Sequence, residues 1–286
     1  MIAGLALNLL GTAVALHVGG TMDWAKFSLM QVVISSSQLS GALANEFADI
    51  GSDRLNKNRT WFSGGSGMVV SGRIEVKIVV QALVFWTVLT IAASLGLALM
   101  LKTGIVSLLL IVVGLSLALS YSLRPLALSY RGLGEIEMAF MVSFLTPVAS
   151  FYVMFGTFDE MILLATAPIV FQMMGLMMVV EFPDRDADIA AGKRTLVARM
   201  RLASSWSLGV LMLVLGGAAA LVGGFIGLPS ATAALAGAVL LAEALVFWIL
   251  GNAPESRSKS FWSTAISCGF YVLVIMIIAV TIATWQ

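Results

Sequence analysis

Apolar residues run for about twenty positions at a time along this chain, and charge, Gly and Pro collect in the gaps between the runs. An apolar helix of that length spans the hydrocarbon core of a bilayer. The pattern predicts membrane spans near 2–20, 24–45, 74–100, 103–122, 134–156, 160–181, 203–227, 230–250 and 261–285. Strict alternation over short segments, the mark of a membrane β-barrel, is missing from it. The fold class expected is all-α: a polytopic membrane protein of nine transmembrane helices, forming one domain over residues 1–286.

The connectors alternate in charge. Those after spans two, four, six and eight, with their helix ends, hold Arg54, Lys57, Arg59, Arg73, Lys77, Arg124, Arg131, Arg185, Lys193, Arg194, Arg199, Arg201, Arg257 and Lys259. The opposite side holds only Lys26 and Lys102. Basic loops stay in the cytoplasm, so the N-terminus is expected inside, the charged loops cytoplasmic and the C-terminus outside, in a cell membrane. Composition agrees. The 286 residues are 60% hydrophobic and 11% charged, with mean hydropathy +1.02, too little charge to cover a soluble domain of this size. A net charge of +1 singles out no partner, and no nucleic acid is expected. The single Cys268 lies in an apolar run and excludes a disulfide framework. The first run lacks a basic leader and a small-residue cleavage site, so the mature chain is expected to keep it.

Two connectors, near 45–73 and 182–202, are long and rich in acids, for which the basic-loop rule gives no reason. In NEFADIGSD, residues 45–53, Asn45, Asp49 and Asp53 stand at a spacing of four, which on a helix makes one stripe of oxygen-bearing side chains. EFPDRDADIAAGKRT, residues 181–195, repeats the device with Asp184 and Asp188, and Pro183 is expected to interrupt the helix just before Asp184. Carboxylates brought together repel unless a cation lies between them, and hard oxygen ligands with open positions suit Mg²⁺ bridging to a phosphate. Arg54, Arg59, Arg73, Lys77, Arg124, Arg131, Lys193 and Arg194 lie on the same side and can grip phosphate oxygens. Solvated loop charges would account for any one of these residues. Two DxxxD stretches ending helices on the same side, four spans apart, point instead to a metal-diphosphate site.

NxxxDxxxD after span two and DxxxD after span six resemble the two signature motifs of the UbiA superfamily of intramembrane prenyltransferases. NRTWFSGGSG (58–67), YSLRPLALSYRGLGE (121–135) and DRDADIAAGKRTL (184–196) are similar too, and GLGE with GKRTL looks closest to the 1,4-dihydroxy-2-naphthoate (menaquinone) branch. The second motif departs from that branch, reading EFPD where Asn residues are usual. The resemblance implies nine helices around a central cavity. It implies Mg²⁺ held by Asn45, Asp49, Asp53, Asp184 and Asp188, and Arg54, Arg59, Arg73, Lys77, Arg124, Arg131, Lys193, Tyr121 and Tyr130 on the diphosphate or acceptor. The implied reaction moves an isoprenyl group from its diphosphate to a hydrophobic or aromatic acceptor, such as a quinone precursor. A terpene cyclase, or transfer to a lipid or porphyrin, keeps the same ionisation and changes the cation's fate. A cation transporter is the reading from another class; transporters place ion ligands near the bilayer midplane, and these acids cluster at helix ends. Family members usually carry a further segment with a basic residue ahead of span one. Here no Lys or Arg precedes Lys26, so either the natural start lies upstream of Met1 or the acceptor is held differently.

Other polar residues have two readings each. Gln38 and Gly41 continue the face of Asn45 into the bilayer, so Gln38 hydrogen-bonds an acceptor or joins two helices. Tyr121, Ser122 and Tyr130 flank Arg124 and touch substrate or anchor the interface. QMMGLMM, 172–178, is core filler before it is a tunnel wall. Glu243 is the one acid well inside a span, expected to reach toward the interface, and His17 is structural.

Overall fold

A computed structural model describes residues 2–56, 65–251, 261, 264–269 and 272. The helices are α1 (Ile2–His17), α2 (Trp24–Ala48), α3 (Ile50–Leu55), α4 (Val76–Leu95), α5 (Gly104–Ser120), α6 (Gly134–Phe140), α7 (Thr146–Phe155), α8 (Glu160–Glu181), α9 (Arg185–Ala190), α10 (Leu196–Arg199), α11 (Leu202–Ile226) and α12 (Ser230–Leu250). A π-helical turn, Gly96–Met100, extends α4, and a second, Met141–Leu145, joins α6 to α7 into one apolar rod. No strand occurs among the described residues.

Eight of the expected spans therefore form helices within a few residues of their predicted limits, and the greater part of the ninth lies outside the described residues. Five helical stretches are long and apolar enough to cross a membrane: 76–100, 134–155, 160–181, 202–226 and 230–250. Ile2–His17 and Gly104–Ser120 are apolar but shorter. The exterior is oily, with Phe85, Leu99 and Phe225 among many large side chains facing out, a surface suited to lipid and unfavourable in water.

Helix ends follow from local chemistry. Asp23 caps α2 by accepting from the amides of Ala25 and Lys26, and Asp159 caps α8 through Met161. Inside the bilayer, helices are fastened by polar pairs. Thr90 Oγ1 donates to Ser36 Oγ at 2.8 Å between α4 and α2, and Trp206 Nε1 to the Phe247 carbonyl at 2.8 Å between α11 and α12. Glu243 is held within the protein, accepting from Gln172 Nε2 of α8 at 3.1 Å, rather than reaching toward the interface. Its burial explains the difference, since that hydrogen bond is nearer than water. Met173 and Met178 fill the core as expected.

The most extensive packing joins α11 to α12 and α8, α2 to α4, and α1 to α7. For function the important contact is between the short helices α3 and α9, which brings the ends of α2 and α8 together.

Candidate active site

The two acidic stretches, residues 45–53 and 181–195, meet although they are far apart in the sequence; Asn56, just past the first, bonds Asp184 across 128 positions. Helix α2 ends at Ala48, yet the amide of Asp49 still donates to the Asn45 carbonyl at 2.9 Å and that of Asp53 to the Asp49 carbonyl at 2.8 Å. The i to i+4 ladder thus runs through the break and keeps the stripe in line. After α8, Phe182 and Pro183 turn the chain, and the Asp188 amide donates to the Asp184 carbonyl at 2.8 Å. Pro183 falls at the interruption the sequence predicts.

Asn45, Asp49, Asp53, Asp184, Asp188 and Lys193 line one polar cavity of 470 Å³, with Glu46, Ser52, Asn56, Ser66, Tyr121 and Glu181 completing its walls. Asp49, Asp53 and Asp188 are buried. Lys193 Nζ lies 2.6 Å from Asp49 Oδ2 and 3.6 Å from Asp188 Oδ1, and 5.1 Å above the Tyr130 ring. Tyr130 donates its hydroxyl to Asp49 Oδ1 at 2.9 Å, and Asn56 Nδ2 donates to Asp184 Oδ1 at 2.6 Å.

Burial pushes the Asp188 carboxyl up to about 6 despite the ammonium beside it, with Asp49 adding repulsion. Burial works against the Lys193 charge, but Asp49 and then Asp188 outweigh it and hold the ammonium above its usual range. Burial, then the Asp49 charge, pushes the Tyr130 phenol up to about 12, so it remains a donor at neutral pH. Among the described residues the cavity is thus an excess of carboxylate around one ammonium.

Among the described residues no three His, Cys, Asp or Glu side chains already converge as a metal cage. The donor set nevertheless fits a hard divalent ion that takes one or two carboxylates, keeps its waters and shares phosphate oxygens, since the acids border open space on both motifs.

A second cavity, of 320 Å³, begins where the first ends. It is lined by apolar residues of α2, α5 and the α6–α7 rod, including Ile34, Leu115 and Met141, and it shares Ala42, Asn45 and Tyr121 with the polar cavity.

Of the basic residues singled out in the sequence, Lys193 is the one the structure brings among the acids. Arg54, Arg73, Lys77, Arg124 and Arg131 are exposed and do not line the cavity, and Arg131 donates to the Pro125 carbonyl at 2.7 Å. Arg59 lies outside the described residues, as do Lys57, Arg257 and Lys259. His17 sits at the far end of α1.

Sequence reasoning passed over several wall residues. Glu46, inside the first motif, accepts from the Ser66 amide at 2.9 Å and hydroxyl at 2.7 Å, tying a Gly-rich loop across the acids. Gly65 of that loop has φ +64° and faces the Asp53 carboxylate so closely that a side chain there would collide with it. Glu181 is buried beside the acids, and Glu135 of the GLGE element accepts from the Leu196 amide, docking the start of α10 after the second motif. The GLGE and GKRTL stretches carried a signal for that contact, but only as a resemblance.

Among solved structures, the apo UbiA homolog from Aeropyrum pernix K1 superposes with TM-score 0.74 at 16% identity, covering 99% of this chain and 95% of that one. A UbiA homolog from Archaeoglobus fulgidus bound to GPP and Mg²⁺ gives 0.68 at 14% identity, covering 98% and 96%. A digeranylgeranylglyceryl phosphate synthase gives 0.66 at 17% identity, covering 99% and 94%. At these identities the likeness is one of fold. Comparison with curated proteins finds no match. The description of the UbiA prenyltransferase family, however, matches residues 6–284, nearly the whole length, and the chain belongs to that family.

Proposed function

We propose that this protein is a Mg²⁺-dependent intramembrane prenyltransferase that moves an isoprenyl or polyprenyl group from its diphosphate to an aromatic or quinone-precursor acceptor. One observation carries the reading: a carboxylate-walled cavity and an apolar cavity share Ala42, Asn45 and Tyr121, a space divided as an isoprenyl diphosphate is divided, into charged head and hydrocarbon tail. The solved Archaeoglobus relative holds such a diphosphate with Mg²⁺. Within this class, the GLGE and GKRTL stretches favour a 1,4-dihydroxy-2-naphthoate acceptor. Nine spans, an internal N-terminus and a site facing the cytoplasm of a cell membrane complete the proposal, on the distribution of Lys and Arg.

The chemistry follows from the residues. Asn45, Asp49, Asp53, Asp184 and Asp188 would hold Mg²⁺, which when bound supplies positive charge against a diphosphate leaving group. Lys193 adds a fixed ammonium already poised between Asp49 and Asp188, so less reorganisation is needed as charge develops. Tyr130 and Asn56 orient Asp49 and Asp184 by hydrogen bonds. The donor's C–O bond breaks, diphosphate leaves, and the apolar cavity keeps water from the allylic cation until the acceptor ring attacks. A C–C bond forms and the ring loses a proton. No Ser, Cys or His nucleophile takes part.

The test is to incubate purified protein with Mg²⁺ and diphosphates of several lengths, with and without aromatic acceptors, and to weigh the products. A prenylated aromatic is expected. A cyclic hydrocarbon formed without acceptor would replace the transferase reading by a cyclase, and absence of Mg²⁺-dependent diphosphate release would overturn both.

A further inference from the structure

The start of α6 touches the segment that carries Lys193 at two points. Glu135, 0% exposed, accepts the Leu196 amide on its Oε1. Gly132, in the turn before α6, has φ +77° and leaves room for the Arg194 carbonyl: a Cβ there would stand 2.6 Å from that oxygen and 2.9 Å from Arg199 Nη1. The two contacts bracket Thr195. On its other side α6 begins against the cavity wall, since a Cβ at Gly134 would stand 3.1 Å from the ring of Tyr121, which both cavities share.

The second acidic loop also fastens itself. The Lys193 amide donates to the Asp188 carbonyl at 2.8 Å, Thr195 caps α10 by accepting from the Ala198 amide at 3.1 Å, and Arg185 of α9 donates to the Val197 carbonyl at 3.1 Å. These bonds lie within the loop and move with it, so they keep its shape and leave its placement open. Val197 is buried, but apolar packing is non-directional. The target of Lys193 lies elsewhere, on Asp49 at the end of α2, where Nζ makes its 2.6 Å contact. Residues 193–195 belong to no helix, and a lysine stem is flexible, so reaching that carboxylate depends on where the backbone is held. Glu135 ties that backbone to a membrane helix three residues beyond Lys193.

Resting on the prenyltransferase reading for the identity of the ligand, we propose that Glu135 is a positioning residue for the diphosphate: by holding the Leu196 amide it sets the Lys193 ammonium between the two acidic motifs, where the diphosphate arrives. Gly132 admits the same segment from the turn before.

Two readouts on full-length protein in detergent test it. Wild type, Glu135→Leu, Glu135→Gln and Gly132→Ala are labelled in metal-free buffer with a water-soluble amine-acylating reagent, and the peptides are weighed, with the exposed Lys77 and Lys102 as internal standards. Glu135→Leu is expected to raise labelling of Lys193 against those standards on the order of 10-fold, and Gly132→Ala to raise it likewise. Glu135→Gln keeps an acceptor oxygen for Leu196 and should stay within twofold of wild type. The same proteins, each also carrying Lys193→Met, are titrated with inorganic pyrophosphate plus Mg²⁺. Glu135→Leu should weaken binding on the order of 10-fold, the size of one lost hydrogen bond to a charged group, and should change it less than twofold once Lys193 is replaced. Unchanged labelling in Glu135→Leu, or in Gly132→Ala where Glu135→Leu does not fold, would overturn the proposal. So would an equal loss of pyrophosphate affinity with and without Lys193, the mark of a merely structural role. Failure of wild type to bind pyrophosphate with Mg²⁺ overturns the prenyltransferase reading instead, and the labelling still decides whether Glu135 sets Lys193.

Discussion

Replacing Lys193 by Met removes the ammonium that, among the described residues, lies between the buried acids. Its Nζ is 2.6 Å from Asp49 and 3.6 Å from Asp188, and the three side chains are 10%, 6% and 8% exposed, so solvent screens the contacts little. Breaking a buried pair by deleting one partner costs about 3–5 kcal/mol, because a charge is left uncompensated. Asp188 provides an escape. Its carboxyl titrates at about 6, and without Lys193 it moves higher, so at neutral pH it takes up a proton and limits the loss to about 2–3 kcal/mol. The sign with pH follows. A carboxyl raised from 3.8 to about 6 binds its proton more tightly folded than unfolded, so in metal-free buffer its contribution falls as pH rises from about 4 to 6. In the variant that window extends upward, so Asp188 relieves more of the deficit at pH 5 than at pH 8, while the loss of the 2.6 Å contact to Asp49 is felt at both. Thermal unfolding in EDTA should show a drop of roughly 5–10 °C at pH 8, with Mg²⁺ restoring more stability to the variant than to wild type. A drop under 1 °C, or one equal at pH 5 and pH 8, would refute this account of the site's charge balance.

Asp49→Ala and Asp184→Ala should each lower product formation by at least about a thousandfold while the protein stays folded in detergent, and retained turnover would break the metal-site assignment. Gly65→Ala puts a side chain at φ +64° against Asp53; it should add about 1–3 kcal/mol of strain and raise the Mg²⁺ concentration needed for half-maximal rate, read in a metal titration. Glu243→Gln keeps a partner for Gln172 and should melt near wild type, whereas Glu243→Leu leaves that amide buried and alone and should lose about 1–3 kcal/mol.

How much was legible beforehand depended on the range of the force involved. Apolar length and Lys/Arg asymmetry are summed over many residues, so the helices on either side of NEFADIGSD and EFPDRDAD stood out within a few positions of where they form. The acid stripe was legible because a spacing of four is itself the helix period, and the amide ladder from Asn45 through Asp53 keeps that period through the end of α2. The basic residues were another matter. Arg54, Arg73, Lys77, Arg124 and Arg131 are expected from the charge pattern on the same side as the acids, but charge asymmetry reports only the side, and a long solvated side chain gains nothing by folding into a cavity until an anion is there. Lys193 differs because its position is set by backbone: its amide donates to the Asp188 carbonyl at 2.8 Å, which delivers the ammonium to the acids. Gln38 lay on the right face in the sequence, and no pattern there could say whether its carboxamide had a partner. That depended on Gly4, 34 positions away, and on the neighbouring helix offering it space and no hydrogen bond. The acid stripe was therefore written in a local period, whereas the surroundings of Gln38 became visible only when two distant helices were laid side by side.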